Sequence, residues 1–237
     1  MAENPITMRL IEIQKMIDRQ SHLLDHAAAA RGVDAYYERA MSMLHSDRLR
    51  SAFDLTREPE KVRERFGRTT YGQGCLLARR LVEAGVKFVT VYFSDNIGGQ
   101  STESGGWDTH GFNNTRMYPI VEKFHLPITN VTLPALLTDL DERGLLKDTL
   151  VLCVGEFGRS PNRGVSTSGN SNTADGRDHW PYCYTCVMAG AGVKRGVVYG
   201  KSDKTASSQL ENPVHPIELL ASIYHAFGIH PETIVYN

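Results

Sequence analysis

An α/β fold, a mostly parallel sheet flanked by helices behind a helical amino-terminal region, is predicted by three features of this 237-residue sequence. Stretches with apolar residues at helical spacing alternate along the chain with short β-branched and aromatic runs. One such run, Thr149-Leu150-Val151-Leu152-Cys153-Val154, is nearly unbroken apolar, as in a strand buried on both faces of a parallel sheet. Two long polar loops rich in glycine follow predicted strands, at the sheet edge where such folds gather their ligands.

Taken in order, Ile6, Leu10, Ile13, Ile17, Leu23 and Leu24 recur at spacings near three and four and predict an amphipathic helix over 6–30. Helix formers of mixed charge continue through 34–66, so residues 1–67 read as a helical region and 68–237 as the α/β part. A helix over 72–84, with Leu76, Leu77, Leu81 and Val82 on its apolar face, stops at Gly85 and feeds a strand over 86–93. The loop 94–114 has the length of a functional loop. Helical periodicity returns over 117–143, broken by Pro127 and Pro134 and ended at Gly144. The strand over 149–154, a second loop over 155–181, a strand over 182–189, a short strand over 196–200 and a helix over 216–227 complete the chain. There is no internal repeat.

Composition narrows the function. Twenty-six Lys and Arg against 27 Asp and Glu leave a net charge of -1, so no charge excess draws nucleic acid or an anionic membrane. No apolar run reaches the roughly 20 residues of a membrane span, and the first residues lack a signal peptide's apolar segment. The chain as written reads as soluble and cytoplasmic. Four scattered cysteines do not make a disulfide framework.

The ligand-bearing side chains sit in the loops. Asp108 and His110 follow the strand predicted over 86–93, Glu156 lies two residues beyond Val154, and Asp178 and His179 close the second loop. Mixed carboxylates and imidazoles suit Zn²⁺ or, with more oxygen donors, Mg²⁺, Mn²⁺ or Ca²⁺. Each pair alone is commonplace: an Asp beside a His also anchors loops, Glu156 also reads as a cap, and Trp107 and Trp180 as packing. What favours a site is recurrence, since acid, His and Trp come together twice in glycine-rich loops.

Other features weigh less. Cys183 and Cys186 lie three apart in an apparent strand, which points them to opposite faces and favours two small packing residues over a redox pair. Gly190-Ala191-Gly192 precedes no helix and reads as a turn rather than a phosphate loop. There is no Gly-x-Ser-x-Gly elbow. His22, His26, His45, His125, His225 and His230 read as surface or packing residues, and His215, between Val214 and Pro216, stays open.

Five ordered motifs carry a resemblance: Phe53-Asp54-Leu55-Thr56-Arg57-Glu58-Pro59, the stretch from Tyr71-Gly72-Gln73-Gly74 to Gly85-Val86, Trp107-Asp108-Thr109-His110, Gly155-Glu156-Phe157-Gly158-Arg159, and Gly176-Arg177-Asp178-His179-Trp180-Pro181. From about residue 45 onward the chain resembles the DUF1501 family, which is grouped with the alkaline phosphatase and sulfatase superfamily and is often exported through a twin-arginine signal. The resemblance implies an alkaline-phosphatase-like sheet with a two-metal site at its carboxyl edge. It likens Asp108, His110 and His179 to the ligands of one metal, and Glu156 to an acidic ligand of the second, with Asp178 beside them. Phe157 stands where the superfamily usually has a histidine, and Asp108 and His110 are closer in sequence than the usual pair. Arg159 and Arg177 carry the planar charge that binds phosphate or sulfate, or else anchor loops.

The superfamily's early strand, with its Asp and its Ser, Thr or modified Cys nucleophile, has no counterpart here, which implies an amino-terminally shortened member. The expectation is therefore a metal-dependent hydrolase of phosphate or sulfate esters, weakly active or inactive as this chain. The alternative is a non-catalytic binding or structural module whose acid and histidine loops serve as hydrogen-bond networks. A redox protein using Cys183 and Cys186 is the third and weakest reading.

Overall fold

Thr69 begins the best-formed helix of the chain: its hydroxyl accepts from the Gly72 amide at 3.0 Å, filling the donor that a helix start leaves open. A computed structural model, which describes residues 37–38, 41–42, 46–93, 107, 117–164, 174–230 and 232–233, places that helix at Thr70–Glu83 (α3). Before it come α1 (Asp47–Phe53) and α2 (Glu60–Arg65). After it comes a long helical element in three parts: α4 (Met117–Ile120), a π turn over Val121–His125, and α5 (Leu126–Glu142). The helix predicted over 6–30 lies outside the described residues. The chain divides into two compact units, Met1–Asp54 and Leu55–Asn237. Glu58 and Phe66, upstream of the boundary expected near residue 68, thus belong to the second unit.

The core of that unit is helical. Phe66, Cys75, Leu76 and Ala135 form one buried cluster, with Leu55, Val62, Tyr71, Val91 and Leu136 packed around it. Burial pushes the Cys75 thiol up to about 12, so it stays protonated and behaves as a small apolar side chain. The first glycine of Tyr71-Gly72-Gln73-Gly74 is dictated by crowding: a Cβ on Gly72 would stand 2.3 Å from the Phe66 carbonyl oxygen. Gln73 closes the same corner, its Nε2 donating to the carbonyls of Gly67 (2.8 Å) and Arg63 (2.9 Å).

Beside the core runs an ionic network around Arg79, whose side chain is only 1% exposed. Its guanidinium pairs with Glu58 at 2.8 Å, Glu83 at 2.9 Å and Asp139 at 3.0 Å. Arg80 also pairs with Glu58, and Arg143 with Asp139 and Glu83. Carboxylates on several sides offset the cost of taking this guanidinium out of water. The network ties the Glu58 motif to α3 and α5.

The strands are short and antiparallel. β1 (Val151–Val154) pairs with β4 (Cys186–Ala189), β2 (Gly158–Arg159) with β3 (His179–Trp180), and β5 (Lys201–Ser202) with β6 (Gln209–Glu211), in three two-stranded ladders. The architecture is therefore mixed helix and strand, but the expected mostly parallel sheet is not among the described ladders. Residues 86–93 run as irregular backbone with Phe88 and Tyr92 exposed. β-branched composition favours a strand, yet the ladder itself comes from a neighbour's amides and carbonyls. The strand expected over 196–200 is likewise irregular, and β5 begins at Lys201. β1 is half-buried rather than covered on both faces.

Gly190-Ala191-Gly192 is a turn, as its sequence implies, with φ of 83°, 45° and 82°. The last helix, α6 (Pro216–Ala226), settles the open question about His215. The His215 Nδ1 accepts from the Ile217 amide at 3.2 Å, while Glu218 accepts from the His215 amide at 2.6 Å. His215 is the N-cap of a capping box.

Candidate functional site

The end of β1 delivers the Gly155-Glu156-Phe157-Gly158-Arg159 motif. After Val154 the chain turns through Gly155, Glu156 and Phe157 into β2, and Glu156 is exposed on that turn. β2 meets the Gly176–Pro181 motif directly, with Gly158 opposite Trp180 and Arg159 opposite His179. Gly158 permits this approach, because a Cβ there would stand 2.1 Å from the Cys183 carbonyl oxygen. The two ends of the loop expected over 155–181 thus become neighbouring strands.

Arg177 and Asp178 hold the junction. The Arg177 Nε donates to the Ser160 carbonyl at 2.5 Å and its Nη2 to the Arg159 carbonyl at 3.1 Å. The Ser160 amide donates to the Asp178 carbonyl at 2.8 Å, and the Gly164 amide to that of Gly176 at 2.8 Å. Asp178 is 2% exposed, and its carboxylate accepts from the His179 amide at 2.8 Å. The Arg177 side chain thereby spans backbone on the facing strand, and Asp178 faces inward beneath His179.

His179 is exposed, and its ring lies 4.3 Å from that of Phe157, tilted by 42°. In sequence, Phe157 is a departure from the superfamily pattern. Its place is against the imidazole it replaces as a neighbour. The one signal for this was its position two residues before Arg159, across the ladder from His179. Trp180 turns the other way, its Nε1 donating to the Ser207 carbonyl at 2.9 Å and its ring packing on Tyr182.

The Trp107–His110 motif joins through Trp107. Its carbonyl accepts from the Arg159 Nη2 at 3.4 Å. Its ring lies 5.8 Å from Phe93, edge on, and 5.0 Å from His125, and Phe93 packs on Tyr71 at 4.5 Å. His125 closes the π turn and is fully buried, a packing role in keeping with its sequence reading. Single π turns occur often at functional sites. Asp108 and His110 lie outside the described residues. Trp107, Arg159, Phe157 and His179 nevertheless link the motifs that begin at Trp107, Gly155 and Gly176.

Glu156 and His179 are both accessible to solvent and come from adjoining segments. Among the described residues no three His, Cys, Asp or Glu side chains gather as a metal would need. The four cysteines are free thiols. A cleft of about 640 Å³ lies at the far end of β1 between Leu150, Met188 and α6, and is lined by no motif residue.

The chain matches the family model of DUF1501, a family described as proteins of unknown function, over residues 6–237. It is a member of the DUF1501 family. The match begins well before residue 45, where the resemblance read from motifs sets in. No curated protein and no solved structure matches this DUF1501 chain. Among the described residues, no helix is long and apolar enough to cross a membrane.

Proposed function

We propose that this DUF1501 protein is a metal-dependent hydrolase-like member of the alkaline phosphatase and sulfatase superfamily, acting on phosphate or sulfate esters. The observation that carries the reading is the β2–β3 ladder, which sets Arg159 opposite His179 and leaves Glu156 exposed one turn away. Asp108, His110 and His179 would hold one metal, Zn²⁺, Mn²⁺ or Ca²⁺, with Glu156 contributing to a second. A bound metal of this class polarises an ester oxygen and lowers the pKa of water. The chain's own residues bind and orient: Arg159 offers a planar cation to the oxyanion, Phe157 fixes the His179 ring, and Arg177 and Asp178 brace the ladder beneath both. No nucleophile is assigned, and turnover by the 237-residue chain is expected to be weak or nil.

The test is metal content. Purified protein should carry Zn²⁺, Mn²⁺ or Ca²⁺ in stoichiometric amount by elemental analysis, and His179→Ala and Asp108→Ala should each lose it with little change in helical content. Metal-free protein whose melting is unmoved by added metals would overturn the reading. A non-catalytic module is the second reading, and a specific arrangement favours it: Asp178 and Arg177 are both engaged in hydrogen bonds to backbone, as members of a loop-fixing network are.

A further inference from the structure

We infer that Asp203 is a positioning residue for His179: it closes a loop that offers the Ser207 carbonyl to the Trp180 indole, and the indole fixes the two-residue strand that carries His179. The inference rests on the metal reading above and adds to it the device that sets the direction of one ligand.

β3 is too short to hold its own orientation, since it has two residues and two pairs with β2. Arg177 and Asp178 hold it on the upstream side. On the downstream side the anchor is Trp180, whose Nε1 donates at 2.9 Å to the carbonyl of Ser207, 27 residues further along the chain. Tyr182 packs edge on against the same indole, with ring centroids 5.0 Å apart. Successive side chains of a strand point to opposite faces, so an indole fixed on one face sets the direction of His179 on the other.

The Ser207 carbonyl stands in the loop between β5 and β6, and one carboxylate shapes that loop. The Asp203 Oδ1 accepts from the amides of Thr205 at 3.0 Å and Ser207 at 2.9 Å and from the Thr205 hydroxyl at 3.2 Å, while its Oδ2 accepts from the Ser207 hydroxyl. The Asp203 amide donates to the Ser208 carbonyl at 2.9 Å and shuts the loop. Inside it Ala206 stands at φ 56°, a left-handed conformation that an alanine adopts only where its surroundings impose it. The same bonds, that from the Ser207 hydroxyl foremost, bring the Asp203 carboxyl down to about 2, so the loop keeps its anion through mildly acidic pH. Four donors on two oxygens occupy the acceptor capacity of this carboxylate, which serves the loop rather than an ion. A loop that only joined two strands would need no partner outside itself; this one holds Trp180.

Nuclear magnetic resonance and zinc titration of the full 237-residue chain test this. The chain has two tryptophans, so the Trp180 indole signal is identified by its loss in Trp180→Phe. Asp203→Ala should shift that signal, speed exchange of the indole proton with solvent roughly tenfold and move the ring resonances of His179. Affinity for Zn²⁺ should fall about tenfold in Asp203→Ala and in Trp180→Phe. Asp203→Asn, whose side-chain oxygen still accepts from both amides, should keep most of it, and Glu211→Gln, which breaks only the exposed pair with Lys201 on the same hairpin, should leave it unchanged. Indole and His179 signals that stay in place in Asp203→Ala overturn the inference. So does a wild type that binds Zn²⁺ no better than Asp203→Ala while holding the metal through His179, or a Glu211→Gln variant that weakens binding equally. If Asp203→Ala does not fold, Trp180→Phe decides, and unmoved His179 resonances there count against the inference. A wild type that takes up no Zn²⁺ sinks the metal reading alone, and the indole and His179 signals then decide the positioning role by themselves.

Discussion

Residues 55–146 and residues 147–230 lie in one compact unit but are held by different means. The first stretch contains Phe66, Cys75, Leu76, Met117, Ala135, Leu140 and Leu146, all buried, together with the Arg79 network. In the second, the buried side chains among the described residues are polar: Ser160, Asp175 and Asp178. Its three ladders have two strands each, which is marginal for independent stability. The contrast teaches where rigidity comes from. Phe93 and His125 of the helical stretch back the Trp107 ring, while the ladder that bears Arg159 and His179 relies on hydrogen bonds. Backbone amides of α3 and α5 should therefore exchange with deuterium far more slowly than those of β1 to β4, and equal protection would erase the distinction.

The largest effect should come from the helical side. Arg79→Met leaves Glu58 and Asp139 as buried carboxylates without their central cation and should cost about 3–5 kcal/mol in denaturant unfolding. Phe66→Ala opens the core beside it at a comparable cost of about 3–5 kcal/mol. Losses below about 1 kcal/mol for both would mean that the helical stretch is not the stable half.

Next in size is the seam. Gly190 has φ 83°, and a Cβ there would stand 2.0 Å from the Thr149 carbonyl oxygen and 2.6 Å from that of Leu146. The Ala191 amide donates to the same Leu146 carbonyl at 3.0 Å. Gly190→Ala should thus cost about 1–3 kcal/mol, by moving the end of β4 off the end of the helical stretch. A calorimetric scan that splits into two transitions would show the halves uncoupled at this point; an unchanged single transition would count against the seam.

Acid should also act first on the helical side. Burial opposes ionisation of Glu58, but hydrogen bonds and charge from Arg79 and Arg80 outweigh it and hold the carboxyl below its usual value of 4.5. A lowered folded-state pKa contributes stability that is complete above 4.5 and is lost as pH falls below it through the folded value. The melting temperature of the wild type should fall over that window more steeply than that of Glu58→Gln. Parallel profiles would remove Glu58 from the account.

The two stretches also differ in how legible they were. The helix over 72–84 was readable because its spacing and its cap are local, and so were the turn at Gly190 and the helix after Pro216. Residues 86–93 misled because strand formation depends on a partner that no local pattern specifies. The meeting of Arg159 with His179 was invisible for the same reason: the two are joined across a loop, and only the glycine at 158 hinted at a close approach. The contact of Phe157 with His179 was invisible too, since it forms across the same ladder.

The smallest effects should lie on the outer surface of the second stretch. Val198 is 94% exposed, and Val198→Thr should change stability by no more than about 0.5 kcal/mol. Ile217, Leu220 and Tyr224 follow one another at spacings of three and four on α6, and all three are more than half exposed. Changing Leu220 to Gln should therefore be nearly neutral for unfolding, within about 0.5 kcal/mol, if that face meets only water. A loss above about 2 kcal/mol would mean that the face is covered in solution and that the second stretch owns an apolar core after all. The contrast drawn between the two stretches would then belong to the isolated chain rather than to the protein as it exists in solution.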